Sequence, residues 1–308
     1  MKHIEKFYKN KRVLVTGGAG FIGSYIVEEL IKNNAKVTIL DNFSSGNINN
    51  LYNNITEINI IYGDITNPFT CLKATKNIDI VFHLAALISV PLSTKNPQKC
   101  NLINIEGTKN LLEACRKNDV KKFIFSSSSA VYGNKKEKCN EDDKVNPESQ
   151  YAKSKVAGEE ICKYYYENYG INTTCLRYFN VYGERQNPNG NYAAVVAKFT
   201  HNLKTNTPIV IYGDGKQTRD FIHVSEVAKA NLKISIQPNL NGDVFNIATG
   251  KSINLLELID QLEKEINTKK TKLILQPERT GDIKYSVANC EKYKKLELFN
   301  SIELNNSL

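Results

Sequence analysis

Arg12-Val-Leu-Val-Thr16 runs straight into Gly17-Gly-Ala-Gly-Phe-Ile-Gly23, and this junction decides the fold. The first stretch is a short apolar run that reads as a buried strand. The second places glycines at 17, 20 and 23 in a turn that opens a helix, read from about Phe21 to Asn33. Such a turn lets backbone approach a pyrophosphate closely, and the helix start offers free N–H groups and the positive end of its dipole. Taken alone, three glycines mark only a tight turn. The context adds Asp41, which closes the next strand, Lys36-Val-Thr-Ile-Leu40, where a carboxylate would hydrogen-bond an adenosine ribose. It would repel a 2′-phosphate, and no arginine follows nearby, so the expected dinucleotide is NAD and not NADP.

Outward from this junction, strand and helix alternate. Asn59-Ile-Ile-Tyr62, Ile78-Asp-Ile-Val-Phe82 and Lys122-Phe-Ile-Phe125 read as strands, with a helix from about Asn96 to Lys117 between the last two. This predicts an α/β fold, a Rossmann-like doubly wound parallel sheet with helices on both faces. After about Asn180 the texture changes. Short strands (208–212, 244–247, 272–275) alternate with short helices (192–203, 224–236, 254–266) and turn-rich stretches such as Tyr212-Gly-Asp-Gly215. The expected division is a dinucleotide-binding domain over 1–180 and a smaller C-terminal α/β substrate-binding domain over 181–308, interleaved through a strand near Thr173 to Tyr178.

Composition narrows the classes. A hydrophobic fraction of 41% in 308 residues supplies a sizeable core and argues against a disordered chain. No stretch approaches the roughly 20 apolar residues of a membrane span. The Lys-rich start has no apolar segment of the secretory kind. Cys71, Cys100, Cys115, Cys139, Cys162, Cys175 and Cys290 are scattered and form no CxxC pair, so neither a zinc site nor a disulfide framework is expected, and a reducing cytoplasm fits. The net charge of +9 is spread along the chain, and runs such as Lys135-Lys136 and Lys269-Lys270 read as solvated faces, not as a nucleic-acid surface.

Tyr151-Ala-Lys-Ser-Lys155 places a phenol and an ammonium four residues apart on one helix face. A free tyrosine has a pKa of about 10. The lysine, together with a nicotinamide ring, is expected to lower it and make Tyr151 a general base. A YxxxK pair alone is commonly a surface pair. Ser126-Ser-Ser-Ser-Ala-Val-Tyr-Gly133, at the end of a strand, raises it above that: a serine there can bond the reacting oxygen and pass its proton to Tyr151. Ser128 is the choice among the four. In Gly63-Asp-Ile65, Asp64 could accept from an adenine amino group, and in His83-Leu-Ala-Ala86 the small Ala85 and Ala86 leave room for a cofactor's bridge. His83 reads as a satisfied core histidine.

These motifs, with Arg177-Tyr-Phe-Asn-Val-Tyr-Gly183 and Arg219-Asp-Phe-Ile-His-Val224, occur in the order found in the extended short-chain dehydrogenase/reductase family, and the resemblance runs from about residue 11 to 295. Within that family the chain resembles the NAD-dependent nucleotide-sugar 4-epimerases, the bacterial UDP-N-acetylglucosamine 4-epimerases in particular through Arg177 to Gly190 and Tyr192-Ala-Ala-Val-Val196. Ala130 stands where dehydratases and decarboxylases of the family carry an acid, which disfavours those reactions. The resemblance implies that Gly17, Gly20, Phe21, Ile22, Asp41, Asn42, Asp64, Ile65, Leu84, Ala85, Ala86 and Asn104 line the NAD site. Tyr178 would flank the nicotinamide. Ser128, Tyr151 and Lys155 would be catalytic, the last two also touching the cofactor. The UDP-sugar would meet Ser128, Asn180, Ala194, Val195, Tyr212, Arg219, Arg279, Asp282 and Ser286, with the two arginines suited to a diphosphate.

By the same resemblance Ser286 takes the position beside the C2 substituent, where a bulky tyrosine would exclude an N-acetyl group. A register shift of one would put Tyr285 there and reverse the conclusion. The implied reaction interconverts UDP-GlcNAc and UDP-GalNAc, and UDP-Glc and UDP-Gal, through a transient 4-keto sugar. A UDP-glucose 4-epimerase with little N-acetyl activity and a UDP-glucuronate 4-epimerase stay open, as does a non-catalytic NAD- or nucleic-acid-binding relative, against which the intact Ser128, Tyr151 and Lys155 speak. The resemblance also implies a homodimer through the helices near 96–117 and 154–168.

Overall fold

The short apolar runs become the strands of one parallel sheet. The computed structural model describes residues 2–187, 195–238, 240, 242–268, 271–278 and 283–296. The first half comprises α1 (Lys2–Tyr8), β1 (Arg12–Thr16), α2 (Phe21–Lys32), β2 (Lys36–Asp41), β3 (Ile58–Tyr62), α3 (Pro68–Ala74), β4 (Ile80–His83), α4 (Val90–Lys95), α5 (Pro97–Asn101), α6 (Gly107–Lys117), β5 (Lys122–Ser128), α7 (Gln150–Tyr169) and β6 (Asn172–Tyr178). The second comprises β7 (Asn180–Tyr182), α8 (Val195–Lys204), β8 (Ile209–Tyr212), β9 (Thr218–Arg219), β10 (Phe221–His223), α9 (Val224–Ser235), β11 (Asp243–Ile247), β12 (Ile253–Asn254), α10 (Leu255–Ile266), β13 (Leu273–Gln276) and α11 (Glu291–Lys294). Among the described residues no helix is long and apolar enough to cross a membrane.

Seven strands lie in the order β3-β2-β1-β4-β5-β6-β11, every pair parallel. Strand order reverses between β1 and β4, the place where such sheets open a crevice beyond the carboxyl ends of their strands. Alternation along each strand feeds two cores. Val13 and Val15 of β1 join Ile39, Phe82 and residues of α2 and α9, while Leu14 joins Leu40, Val81, Phe123 and Phe125 beneath α3, α6 and α7. Gly158 lets α7 press onto β5, since a Cβ there would lie 2.3 Å from the Phe125 ring. α5 and α6 are joined by a π-helical turn, Leu102–Glu106.

The C-terminal half forms three two-stranded pairings, β10–β7, β12–β9 and β13–β8, around a third core with Phe199, Ile211, Phe221, Leu258 and Leu262. It also crosses back, for α9 packs with α2 in the first core and β11 pairs with β6 in the main sheet. Several short elements carry no periodicity a sequence reading can catch. α1 is anchored by Tyr8, wholly buried. α3 is defined by its Asn67 cap and Pro68 more than by any stripe. All seven cysteines are buried free thiols.

Candidate active site

The glycine turn takes its shape from a left-handed backbone and from close packing. Gly17 has φ +68° and donates to Leu40 O at 2.9 Å. A Cβ at this position would sit 2.8 Å from the Ala85 amide nitrogen. No side chain caps α2, so its leading N–H groups, from Phe21 and Ile22 on, remain available to an anion. Asp41 stands beside the turn, its carboxylate accepting from Ala19 N at 3.0 Å and Phe43 N at 2.8 Å. Asn42 donates to Asp64 at 2.7 Å. Partial burial pushes the Asp64 carboxyl up, but its bonds from Thr66 and Asn42 outweigh that and hold it below the ordinary aspartate value.

Across the crevice, β4 delivers Leu84, Ala85 and Ala86, partly exposed. Ile65 turns its side chain into the core against Gly107. Asn104, in the π-helical turn, straps the next residue of this strip: it accepts from Leu87 N at 2.7 Å and donates to Leu87 O at 3.0 Å and to Ser154 Oγ at 2.9 Å. His83 bonds Thr16 Oγ1 at 2.7 Å and Thr108 Oγ1 at 3.0 Å. Thr108 spends its proton on Asn104 O, so His83 donates from Nε2 and accepts at Nδ1. Burial drives its pKa down to about 3, so it is a neutral latch between β1 and α6.

β5 and α7 bring together the Ser-rich run and the YxxxK pair. Ser149 caps α7 and sets Tyr151 in its first turn, docked further by Tyr151 N donating to Ser93 Oγ at 3.0 Å. Lys155 is buried, donates to Ser126 O at 2.7 Å, and lies 5.8 Å from the Tyr151 ring centre. The serines separate by partner. Ser126 Oγ meets Tyr178 OH at 3.1 Å, Ser127 donates to Glu159, and Ser128, whose Oγ accepts from Ala130 N at 3.2 Å, stands next to the Tyr151 phenol.

One electrostatic expectation is not met by the protein alone. Burial pushes the Tyr151 phenol up to about 12, and the Ser128 bond recovers only part of that rise. Burial also pulls Lys155 down to about 8. In the protein alone the phenol is not brought below its ordinary value, because the desolvation of the phenolate dominates. Tyr178, at the carboxyl end of β6, is likewise raised to about 12 by burial, and its hydroxyl donates to Asn231 of α9 at 2.8 Å.

The residues expected to meet substrate lie on β7 to β9 and the strap beyond β13. Asn180 donates through N and Nδ2 to Asp220 O, at 3.0 and 3.2 Å. Arg219 pairs with Ile253 in β9–β12 and donates to Thr218 O. Tyr212 lines a cavity of about 190 Å³ with Gly213, Gln217, Lys284 and Tyr285. Val195 begins α8, half-buried. Ser286 is 8% exposed and Tyr285 38%. Ala194, Arg279 and Asp282 lie outside the described residues.

Residues without an assigned role also shape this region. Glu159 forms a largely buried bidentate pair with Arg177, at 2.9 and 2.7 Å, behind the Ser126–Ser128 run. Asp220 is fully buried. Asp220 stands inside the Arg219–Val224 motif, its only local signal, and Glu159, one helical turn beyond Lys155, has none.

The model of the NAD-dependent epimerase/dehydratase family matches residues 13–248. Among solved structures, the UDP-N-acetylglucosamine 4-epimerase from Methanobrevibacter ruminantium, in complex with UDP-N-acetylmuramic acid, is 44% identical, with a TM-score of 0.90 over 95% of this chain and 94% of its own. The UDP-glucose 4-epimerase from Thermotoga maritima with UDP-glucose is 36% identical, with a TM-score of 0.91 and 96% of each chain covered. The UDP-glucose 4-epimerase from Thermus thermophilus, complexed with NAD, is 32% identical, with a TM-score of 0.89 and 96% of each chain covered.

Proposed function

The chain belongs to the NAD-dependent epimerase/dehydratase family, and from that premise we propose that it inverts C4 of UDP-sugars, interconverting UDP-GlcNAc with UDP-GalNAc and UDP-glucose with UDP-galactose. One observation carries the reading: α7 sets Tyr151 beside Ser128 at the end of β5, with Lys155 buried next to it, at the carboxyl edge of the sheet whose switch point holds the Gly17 turn.

The residues present fit NAD. The uncapped start of α2 suits a pyrophosphate, and Gly17 leaves no room for a Cβ beside Ala85. Asp41, held at the turn by Ala19 N, suits a ribose without a 2′-phosphate. When bound, NAD supplies the acceptor that takes and returns the C4 hydrogen. The chain's own work is with the proton. Tyr151, protonated at neutral pH in the protein alone, would release its proton to solvent once positive charge is gathered beside it, part of that charge coming from Lys155, and the phenolate would then take the C4 hydroxyl proton. Ser128 bridges the sugar oxygen and the phenol. Tyr151 then returns the proton to the opposite epimer.

This chemistry needs a firm hold on UDP and a loose one on the hexose. Arg219 is assigned to the diphosphate, and Arg279 and Asp282 keep that assignment from the sequence alone. Ser286, 8% exposed, keeps the C2 position from the resemblance and would leave space for N-acetyl there, while Tyr285 lines the cavity at Tyr212. A second copy would dock on the side where Leu102, Tyr164 and Tyr169 are 52%, 51% and 47% exposed, giving a homodimer that light scattering should detect.

Incubation with UDP-GlcNAc, products resolved by NMR, should yield UDP-GalNAc. Absence of that product at every enzyme level, with UDP-galactose still formed from UDP-glucose, moves the assignment to a plain hexose epimerase. Tyr151→Phe should lose at least about a thousandfold in kcat while still binding UDP; near-wild-type turnover removes Tyr151 as the base.

A further inference from the structure

Asp220 lies between β9 and β10 and is wholly buried. Its Oδ1 accepts from Thr249 N at 2.9 Å and Thr249 Oγ1 at 2.7 Å. Its Oδ2 accepts from Gly250 N at 2.9 Å and Ala288 N at 3.2 Å. Among the described residues no ion pair reaches this carboxylate; neutral donors alone hold it. They belong to two separate segments. The 249–250 turn leads into β12, whose Ile253 pairs with Arg219. Ala288 follows Ser286 by two residues, in a strap that also accepts Thr218 N at Lys284 O, 2.9 Å. The Asp220 carbonyl receives both bonds of Asn180. One residue thus ties together the segments carrying Arg219, Ser286 and Asn180.

Stability does not account for this carboxylate. Burial raises its pKa to about 6, against the bonds from Thr249, Ala288 and Gly250, so at neutral pH the ionised form is a net cost to folding. The thiols of Cys139 and Cys290 share its field but are themselves raised, to about 11 and about 12, and stay neutral. The Lys138 ammonium bonds Gly250 O, not the carboxylate.

We propose that Asp220 is a positioning residue for the sugar-nucleotide site, fixing the Arg219 strand, the 284–288 strap and the 249–250 turn in one arrangement and so setting the affinity for the UDP half of the substrate. This rests on the epimerase reading above. A neutral acid or amide would face four donors with one acceptor fewer, so the arrangement depends on the ionised form.

The test is Asp220→Asn, compared with wild type by calorimetry with UDP and by steady-state kinetics with UDP-glucose. UDP affinity should fall about tenfold and KM rise in parallel, with kcat within about twofold. Wild-type KM should climb as pH falls through about 6, while the variant's stays high and flat between about pH 5 and 8. Thr249→Val, which removes one donor and keeps the charge, should raise KM by about threefold. Unchanged UDP affinity in folded Asp220→Asn overturns the proposal, as does a loss of kcat at unchanged KM. Should Asp220→Asn not fold, unchanged affinity in Thr249→Val overturns it equally. Wild-type protein that fails to bind UDP refutes the epimerase reading itself.

Discussion

Gly17 and Gly170 share a positive φ, +68° and +69°, and differ in surroundings. A Cβ at Gly170 meets nothing within 4 Å, whereas one at Gly17 meets Ala85 N, Ala85 Cα and Leu84 C at 2.8, 3.0 and 3.1 Å. Alanine at either position carries the same left-handed cost, about 1–2 kcal/mol. At Gly17 the backbone after β4 must also retreat by several tenths of an ångström, and β4 is tied to β1 through Thr16 opposite His83. Such overpacking typically adds about 1–3 kcal/mol. Gly17→Ala should therefore unfold well below Gly170→Ala, by about 2–4 °C for each kcal/mol of difference. The same displacement distorts the turn assigned to the pyrophosphate, so Gly17→Ala should emerge from gel filtration depleted of NAD, measured by release and chromatography, while Gly170→Ala keeps it. Equal midpoints and equal NAD content in the two variants would refute the steric reasoning.

The folded pKa of Lys155, about 8, lies below the ordinary lysine value of about 10.4, so the folded state sheds its proton first and wild-type stability rises with pH between those values. Lys155→Met should thus unfold no lower than wild type at pH 7 while losing turnover; a fall of several degrees contradicts this. Removing Arg177 or Glu159 singly should cost about 3–5 kcal/mol by denaturant unfolding, because the partner is left charged and buried. Arg177→Met with Glu159→Leu should cost clearly less than the sum, and strict additivity would rule out the coupling. Ser286→Tyr should lower kcat/KM for UDP-GlcNAc about tenfold or more and leave UDP-glucose within about threefold; parallel losses on both substrates argue against a role at C2.

The β1–turn–α2 junction was legible because every signal in it is local: an apolar run, three glycines and a carboxylate one strand later. The Tyr151–Lys155 pair was legible for the same reason, since helical spacing alone places both on one face. Among the four serines the sequence reading chose Ser128 without a spacing rule to support it, and the packing of α7 on β5 gives Ser126 and Ser127 other partners, Tyr178 and Glu159. The return of α9 and β11 to the main sheet leaves no local trace, because it depends on α2 and β6, remote in the chain.

Sequence by itself determined the strand–helix alternation of the main sheet, the glycine turn and the identity of the chemical groups, since these follow from the chain's own periodicity and from what each side chain can donate or accept. Tertiary structure alone decided the charge states: a phenol raised to about 12, an ammonium lowered to about 8 and a carboxylate raised to about 6. Those values are set by how much water each group loses, and the atoms that exclude the water come from segments far away in sequence.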